Sequence, residues 1–396
     1  MILKVHTSEL NFHQENERKR EQKMSNLNLL IVEDDSNQVK LYKDTIEGFN
    51  SKSNIKIESK ECSNLEDGFE QVKVNNFDAA IIDLRLGSSD MKGEGKKIIR
   101  EIKNNLRFPV FVLTGYSGDL DEDLRDENIF YKIYERTKDT TKVLQEITDI
   151  YRTGITKILG RKGIIEDILQ KVFWGNIAED IEYWMQEIED KNKIEKVLSR
   201  RIIAHITESL KLTKEGEFET YYPAEVYIMP PIKKEFFTGD ILKNKTSEEY
   251  FLILTPACDM ELRKRKDGEN RVTYRNADKI ILAKLVKFAK VAEVSKYIET
   301  HSNAKNSEVE KYIRNTKKGR YHYLPSFGSR IPGFLIDFQD INQIDPEKLT
   351  TSTYDRVASV DGPFLKDIIA RFTSYYARQG SPELDMDIIL KKLING

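Results

Sequence analysis

The 396-residue chain has two cysteines, Cys62 and Cys258, and five histidines. Two thiols so far apart build no disulfide framework, and so few thiols and imidazoles argue against a zinc centre. A reducing cytoplasm is the expected compartment. There is no run of about 18 apolar residues, so no transmembrane helix and no membrane partner are expected. The N-terminus lacks the apolar core of a signal peptide. Net charge is also missing: 64 basic residues nearly balance 66 acidic ones, which leaves no global pull toward nucleic acid.

What the chain does have is a set of short apolar runs that stop abruptly at polar residues. Leu29-Leu30-Ile31-Val32 ends in Glu33-Asp34-Asp35, and Ala80-Ile81-Ile82 ends in Asp83. Val110-Phe111-Val112-Leu113 ends in Thr114, and Ile129-Phe130-Tyr131 ends in Lys132. Runs of this length suit strands buried on both faces, as in a parallel sheet. In such sheets ligands bind beyond the carboxyl ends of the strands. Glu33, Asp34 and Asp83 would meet there and repel one another unless a cation sat among them. Oxygen ligands with room for water and phosphate suit Mg²⁺.

Acid pair, single Asp, Thr and Lys, each closing its own strand in that order, resemble the receiver domain of two-component response regulators over residues 27–150. The resemblance implies a bacterial phosphorelay protein with a flavodoxin-like, doubly wound five-stranded parallel sheet. It implies Asp83 as phosphoacceptor, Thr114 as switch hydroxyl and Lys132 as phosphate-binding cation. Mg²⁺ would be held by Glu33, Asp34, Asp83 and the backbone carbonyl of Arg85. A sensor histidine kinase or related ATPase would donate the phosphoryl group, and a homodimer is admitted. Three features depart from the pattern. Ile133 stands where a proline usually follows the lysine, Ile129 stands where an aromatic is frequent, and the loop after Asp83 is long. The acidic stretch Asp119–Asp126 leaves room for only a short helix.

The chain divides by pattern into a polar N-terminal extension (1–25), the receiver (26–152), a helical connector (153–215) and a C-terminal output domain (216–396). The extension is expected to be disordered, and Met24 just before the first strand offers an alternative start. In the receiver, Ser36 and Asn64 are candidate helix N-caps. In the connector, Ile164 through Trp184 and Ile194 through Leu210 carry apolar residues at spacings of three and four, which predicts a helical hairpin interrupted near Gly175. Trp174 and Trp184 read as packing residues.

The output domain reads as a small α+β domain, with a bent β-sheet or SH3-like barrel followed by a helix opened by Asp361-Gly362-Pro363. Asn270–Asn276 and Asn303–Lys318 read as polar inserts. Gly239-Asp240-Ile241 before Phe251-Leu252-Ile253-Leu254 resembles, as fold analogy only, the barrel of messenger-RNA-cleaving toxins. Three uses of this domain stay open. Cys258 beside Asp259, with His322 as base, would make an enzyme if the three converge. Arg263-Lys264-Arg265-Lys266, Lys317-Lys318 and Arg320, among Tyr321 and Tyr323, would make a nucleic-acid-binding or nucleic-acid-cleaving effector. Or the receiver serves as a phosphorylation-independent docking module.

Overall fold

Three of the four apolar runs lie in strands that helices cover on both faces; the fourth contributes only Tyr131, because Ile129 and Phe130 are exposed in a turn. The computed structural model describes residues 25–86, 93–187, 191–213, 215–267, 270–300, 306–380 and 382–395. The N-terminal extension to residue 24, the loop 87–92 and the first part of the 303–318 insert lie outside these. The chain divides into two units, the first ending at Phe218 and the second starting at Glu219.

The first sheet contains β1 (Ser25–Val32), β2 (Ile55–Cys62), β3 (Ala79–Ile82), β4 (Val110–Thr114) and β5 (Tyr131–Glu135) in the order β2-β1-β3-β4-β5. All its pairings are parallel. This order is that of the flavodoxin-like doubly wound fold. Every residue of β3 and β4 is buried. On one face Leu30, Val32, Ile82 and Val112 pack against α2 (Leu65–Val74) and α3 (Glu94–Asn105). On the other, Leu29, Ile31, Ile81 and Phe111 pack against α1 (Ser36–Asn50) and α4 (Thr140–Arg152). Asp35, one residue before the expected cap, accepts from the Asn37 N–H at the start of α1, and Asn64 caps α2. Both caps satisfy amides that the first helical turn leaves unpaired.

Between β4 and β5 the chain makes two 3₁₀ turns, Ser117–Asp119 and Glu122–Leu124, in place of a helix. Three of the acids there are tied down from outside the turns. Arg85 binds Asp119 at 2.6 Å, Lys96 binds Asp121 at 2.9 Å, and Arg100 binds Asp121 and Asp123 at 2.5 and 2.8 Å. A helix would stack these like charges; the ion-paired turns separate them.

The connector holds α5 (Ile155–Leu159), α6 (Ile164–Lys171), a π turn (Val172–Ile177), α7 (Ala178–Glu187) and α8 (Lys191–Ser209). The expected interruption near Gly175 is this π turn. α8 packs back on α6 and the π turn, as a hairpin requires. The tryptophans correct the packing expectation. Trp174 is 70% exposed, because the π turn rotates it off the apolar stripe. Trp184 is half-buried and lies under the Arg201 guanidinium, 5.3 Å from its ring centre.

The second unit is built on a curled, antiparallel, seven-stranded sheet. Its strands are β6 (Tyr227–Ile228), β7 (Asp240–Asn244), β8 (Tyr250–Ile253), β11 (Ile280–Lys287), β12 (Tyr321–Leu324), β13 (Phe334–Ile344) and β14 (Tyr354–Val360). They run in the order β12-β13-β11-β8-β7-β14-β6. Register shifts at Ala283/Leu285 and Arg356/Ala358 give the bends. The inner face packs against Ile368 and Tyr375 of α12 (Gly362–Tyr376). The polar-insert expectation is corrected twice. Asn270–Tyr274 is strand β10, paired with β9 (Arg263–Asp267) as a separate ribbon, and Ser307–Ile313 is helix α11, which follows α9 (Ala257–Met260) and α10 (Ala292–Glu299). Local alternation in β10 and the Asn306 cap of α11 outweigh their polar composition. A last helix, α13, spans Met386–Asn395.

One buried acid locks this sheet. Asp240 accepts from Ser359 Oγ at 2.5 Å and from the Phe237 N–H at 2.8 Å, and it faces Arg356 at 3.4 Å. Burial raises its pKa, which the Ser359 hydrogen bond opposes. Asp240→Ala leaves the Ser359 hydroxyl and the Phe237 N–H without their acceptor and removes the carboxylate facing Arg356, and is expected to cost about 3 kcal/mol. Reduced urea resistance of β7 and β14 amides in hydrogen exchange checks this; unchanged protection would contradict it.

Candidate functional site

Three strand ends lie side by side because β1, β3 and β4 are neighbours. Glu33 and Asp34 leave β1, Asp83 leaves β3 and Thr114 closes β4. The Asp83 N–H donates to the Val32 carbonyl at 2.9 Å, which fixes the two acid-bearing turns together. Carboxylate atoms of Glu33, Asp34 and Asp83 all lie within 4.8 Å of one another, the one grouping of that kind among the described residues.

Burial decides the electrostatics. Glu33 and Asp83 are each only 2% exposed. Desolvation, reinforced by Asp83, pushes the Glu33 carboxyl up to about 7, against the pull of Arg136. Desolvation also raises Asp83, against the Thr114 hydroxyl and the Arg136 guanidinium. The Asp83 Oδ1, Arg136 Nε and Tyr42 hydroxyl are buried without hydrogen-bond partners. Tyr42 rises to about 12, chiefly through burial. Three converging carboxylates form an oxygen-only donor set that fits Mg²⁺.

The cation at the site is Arg136, which the sequence reading missed. Its Nη2 lies 2.9 and 3.1 Å from the two Glu33 oxygens and 2.7 Å from Asp83 Oδ2. Burial works against its charge, but Glu33 and Asp83 hold its pKa above the ordinary value. The expectation for Lys132 is corrected. β5 does not stop there: Lys132 pairs in register with Phe111, three residues before Thr114, whereas Thr114 faces Glu135. The Lys132 ammonium binds Glu146 of α4 at 2.7 Å, which raises its pKa. The Arg136 N–H donates to the Thr114 carbonyl at 3.0 Å, so Arg136 is the first residue past the strand end. The signal was available: Ile133 and Tyr134 continue strand-type residues past Lys132, and Arg136 is the next cation.

Thr114 is fully buried, and its Oγ1 accepts from the Tyr116 N–H at 3.2 Å. The Arg85 guanidinium lies 3.4 Å from the Tyr116 ring centre and binds Asp119. Gly95 at the start of α3 is needed for close approach: a Cβ there would come within 2.0 Å of the Asp83 carbonyl oxygen.

The second unit does not bring its three candidates together. His322 pairs with Ile336, which pairs with Leu285, which pairs with Tyr250 at the start of β8. That places it three strands, about 14 Å, from β8. Cys258 lies beyond the other end of β8, exposed, with its thiol 3.6 Å from Asp259. His322 instead lies buried, 3.8 Å from Asp367. The basic residues do not form one free face either. Lys317 pairs with Glu308 and Arg320 with Asp337, while the 263–266 run lies on the β9–β10 ribbon.

No family model matches the chain, and neither does any curated protein. Solved receiver structures match the N-terminal third. A CheY-like response regulator receiver domain from Methylobacillus flagellatus is 20% identical, covering 31% of this chain and 99% of its own, with a TM-score of 0.25. The response regulator TrrA from Thermotoga maritima, in complex with Mg²⁺ and BeF, is 18% identical, covering 31% and 98%, with a TM-score of 0.25. The receiver domain of a Pseudomonas aeruginosa sensor histidine kinase, with magnesium in its active-site cleft, is 16% identical, covering 32% and 97%, with a TM-score of 0.25. The strand order by itself establishes a flavodoxin-like doubly wound sheet in the first unit.

Gly95→Ala is expected to cost at least about 1–3 kcal/mol, because the new methyl meets backbone. Faster hydrogen exchange of the β3 and β4 amides checks it. His322 makes a second prediction. Burial depresses it to about 4, so the unfolded chain binds its proton first. Stability is therefore full above pH 6.5 and is lost as pH falls through 6.5 toward 4, by up to about 3 kcal/mol. Hydrogen exchange in β12 and β13 is expected to quicken over that window, and His322→Gln to flatten the response.

Proposed function

We propose that the chain is a phosphorylation-controlled response regulator, with Asp83 as phosphoacceptor. The observation that carries this is the buried Asp83 carboxylate, with one oxygen unpartnered, set between an acid pair, a threonine and a guanidinium. Asp83 attacks phosphorus of a donor phosphohistidine; the P–N bond breaks, and the imidazole leaves with the electron pair and takes a proton. Glu33, Asp34, Asp83 and the Arg85 carbonyl would hold Mg²⁺, which would supply charge neutralisation for the phosphoryl oxygens. Arg136, in the role first expected of Lys132, supplies the second positive charge, and Thr114 donates to the new phosphoryl group. The donor is a sensor histidine kinase or related ATPase, and the compartment is cytoplasmic. Among the described residues no helix is long and apolar enough to cross a membrane.

The second unit is the output domain. The ion pairs of Lys317 and Arg320 leave its described basic residues no continuous free face, so the nucleic-acid reading rests on one element alone. The basic run Arg263–Lys266 lies on a two-stranded ribbon separate from the main sheet, a shape that fits a groove or tracks a backbone. The cysteine–histidine enzyme reading loses its support once Cys258 and His322 lie apart.

Incubation of the full chain with acetyl phosphate and Mg²⁺ tests the central claim by intact mass. Wild type and Lys132→Gln are expected to gain one phosphoryl group, and Asp83→Asn none. Arg136→Ala is expected to gain it at least about ten-fold more slowly, since one preorganised charge is gone. An unmodified wild type, or an Asp83→Asn protein that is modified equally, would overturn the proposal and leave a docking module.

A further inference from the structure

We propose that Arg136 is a resident cation that a divalent ion must displace from Glu33 and Asp83, and that Asp35 receives it. The proposal rests on the reading that Glu33, Asp34 and Asp83 hold such an ion.

A single nitrogen, Nη2, makes all three short contacts to the Glu33 and Asp83 oxygens, at 2.9, 3.1 and 2.7 Å. Those carboxylates are two of the three whose ligand atoms converge within 4.8 Å. Mg²⁺ draws its oxygens to about 2.0–2.1 Å in near-ideal octahedral geometry. The oxygen lone pairs it needs are those now directed at Nη2. Two cations drawn to the same two buried carboxylates would also repel across a poorly screened gap. The ion and the guanidinium therefore exclude each other at this position.

Arg136 has a place to go. Its Nη1 already lies 3.8 Å from Asp35 Oδ2. The other Asp35 oxygen is engaged by the Asn37 N–H at 2.9 Å, so the cap of α1 survives while Oδ2 accepts the guanidinium. The Asp35 side chain is 43% exposed, against 1% and 2% for those of Glu33 and Asp83. A short outward swing thus moves the arginine from two buried carboxylates to one at the rim. Inward, it stabilises the metal-free domain. Outward, it stands beside Asp83 at the mouth of the site. Asp35 is a positioning residue in this scheme, acting only through Arg136.

Calorimetric titration of the full chain with MgCl₂, together with thermal unfolding with and without the ion, tests this. Arg136→Ala is expected to bind Mg²⁺ about ten-fold tighter than wild type, the size of a typical coupling between contacting charges. It should unfold earlier than wild type without Mg²⁺ and gain more from its addition. Arg136→Gln, which keeps a polar side chain, should change in the same direction if the alanine variant folds poorly. Asp35→Asn, which still caps the helix, is expected to bind Mg²⁺ about three-fold more weakly, as loss of one exposed ion pair implies. That effect should vanish when Arg136→Ala is added. Equal or weaker binding by both Arg136 variants overturns the displacement. An Asp35→Asn loss that persists without Arg136 makes Asp35 a direct ligand and overturns its receiving role. If neither wild type nor any variant binds Mg²⁺, the underlying metal reading fails instead, whatever the phosphorylation result.

Discussion

Two carboxylates held under the surface, within reach of a third, set the terms for the first unit. Glu33 and Asp83 leave adjacent strands at the same level because β1 and β3 pair in register up to Val32 and Ile82. The register cannot slip without turning Ile31 and Ile81 out of the core. Hydrophobic packing thus forces like charges together, and the cost appears as a Glu33 carboxyl raised to about 7 and a raised Asp83. Arg136 offsets part of that cost. What remains is a pocket of converging carboxylates with one buried Asp83 oxygen unpartnered.

The sheet and the acids were legible in the sequence for one reason: burial on both faces leaves no polar residue in Leu29–Val32, Ala79–Ile82 or Val110–Leu113. Each run therefore ends where its first polar residue stands, and Glu33, Asp83 and Thr114 mark those ends correctly. β5 breaks the rule because it is a sheet edge. Its residues run from buried Tyr131 to exposed Glu135, so a lysine can sit within it with its ammonium folded against Glu146. Reading the first cation as the strand end put the site four residues early. Ile133 and Tyr134 already hint at a later strand end, and the pairing of Thr114 with Glu135 fixes it just before Arg136.

The second unit was less legible because its antiparallel strands are short, bent and half-exposed. Polar composition concealed β10 and α11, where local pattern and a cap outweigh it. Cys258, Asp259 and His322 looked like partners because each stands in or beside a strand with reactive chemistry. Strand order separates them, since β13 and β11 come between β12 and β8. His322 is then explained by burial beside Asp367, with no reaction required of it.

β5 carries two rings, Tyr131 and Tyr134, but none at Ile133, three residues before Arg136. Another ring, Tyr116, stands two residues past Thr114 and is 47% exposed. Its amide is held by the Thr114 hydroxyl, and its face carries the Arg85 guanidinium, which in turn anchors Asp119 and the first 3₁₀ turn. A hydroxyl drawn toward Asp83 moves the amide it holds. Tyr116, Arg85 and Asp119 form one bonded chain, so that displacement spreads into the turns. Helix α3 resists it through Lys96 and Arg100, which grip Asp121 and Asp123. In this domain ion pairs from α3 hold the two short turns that stand in place of a helix. Their strength therefore falls with ionic strength more steeply than that of an apolar contact.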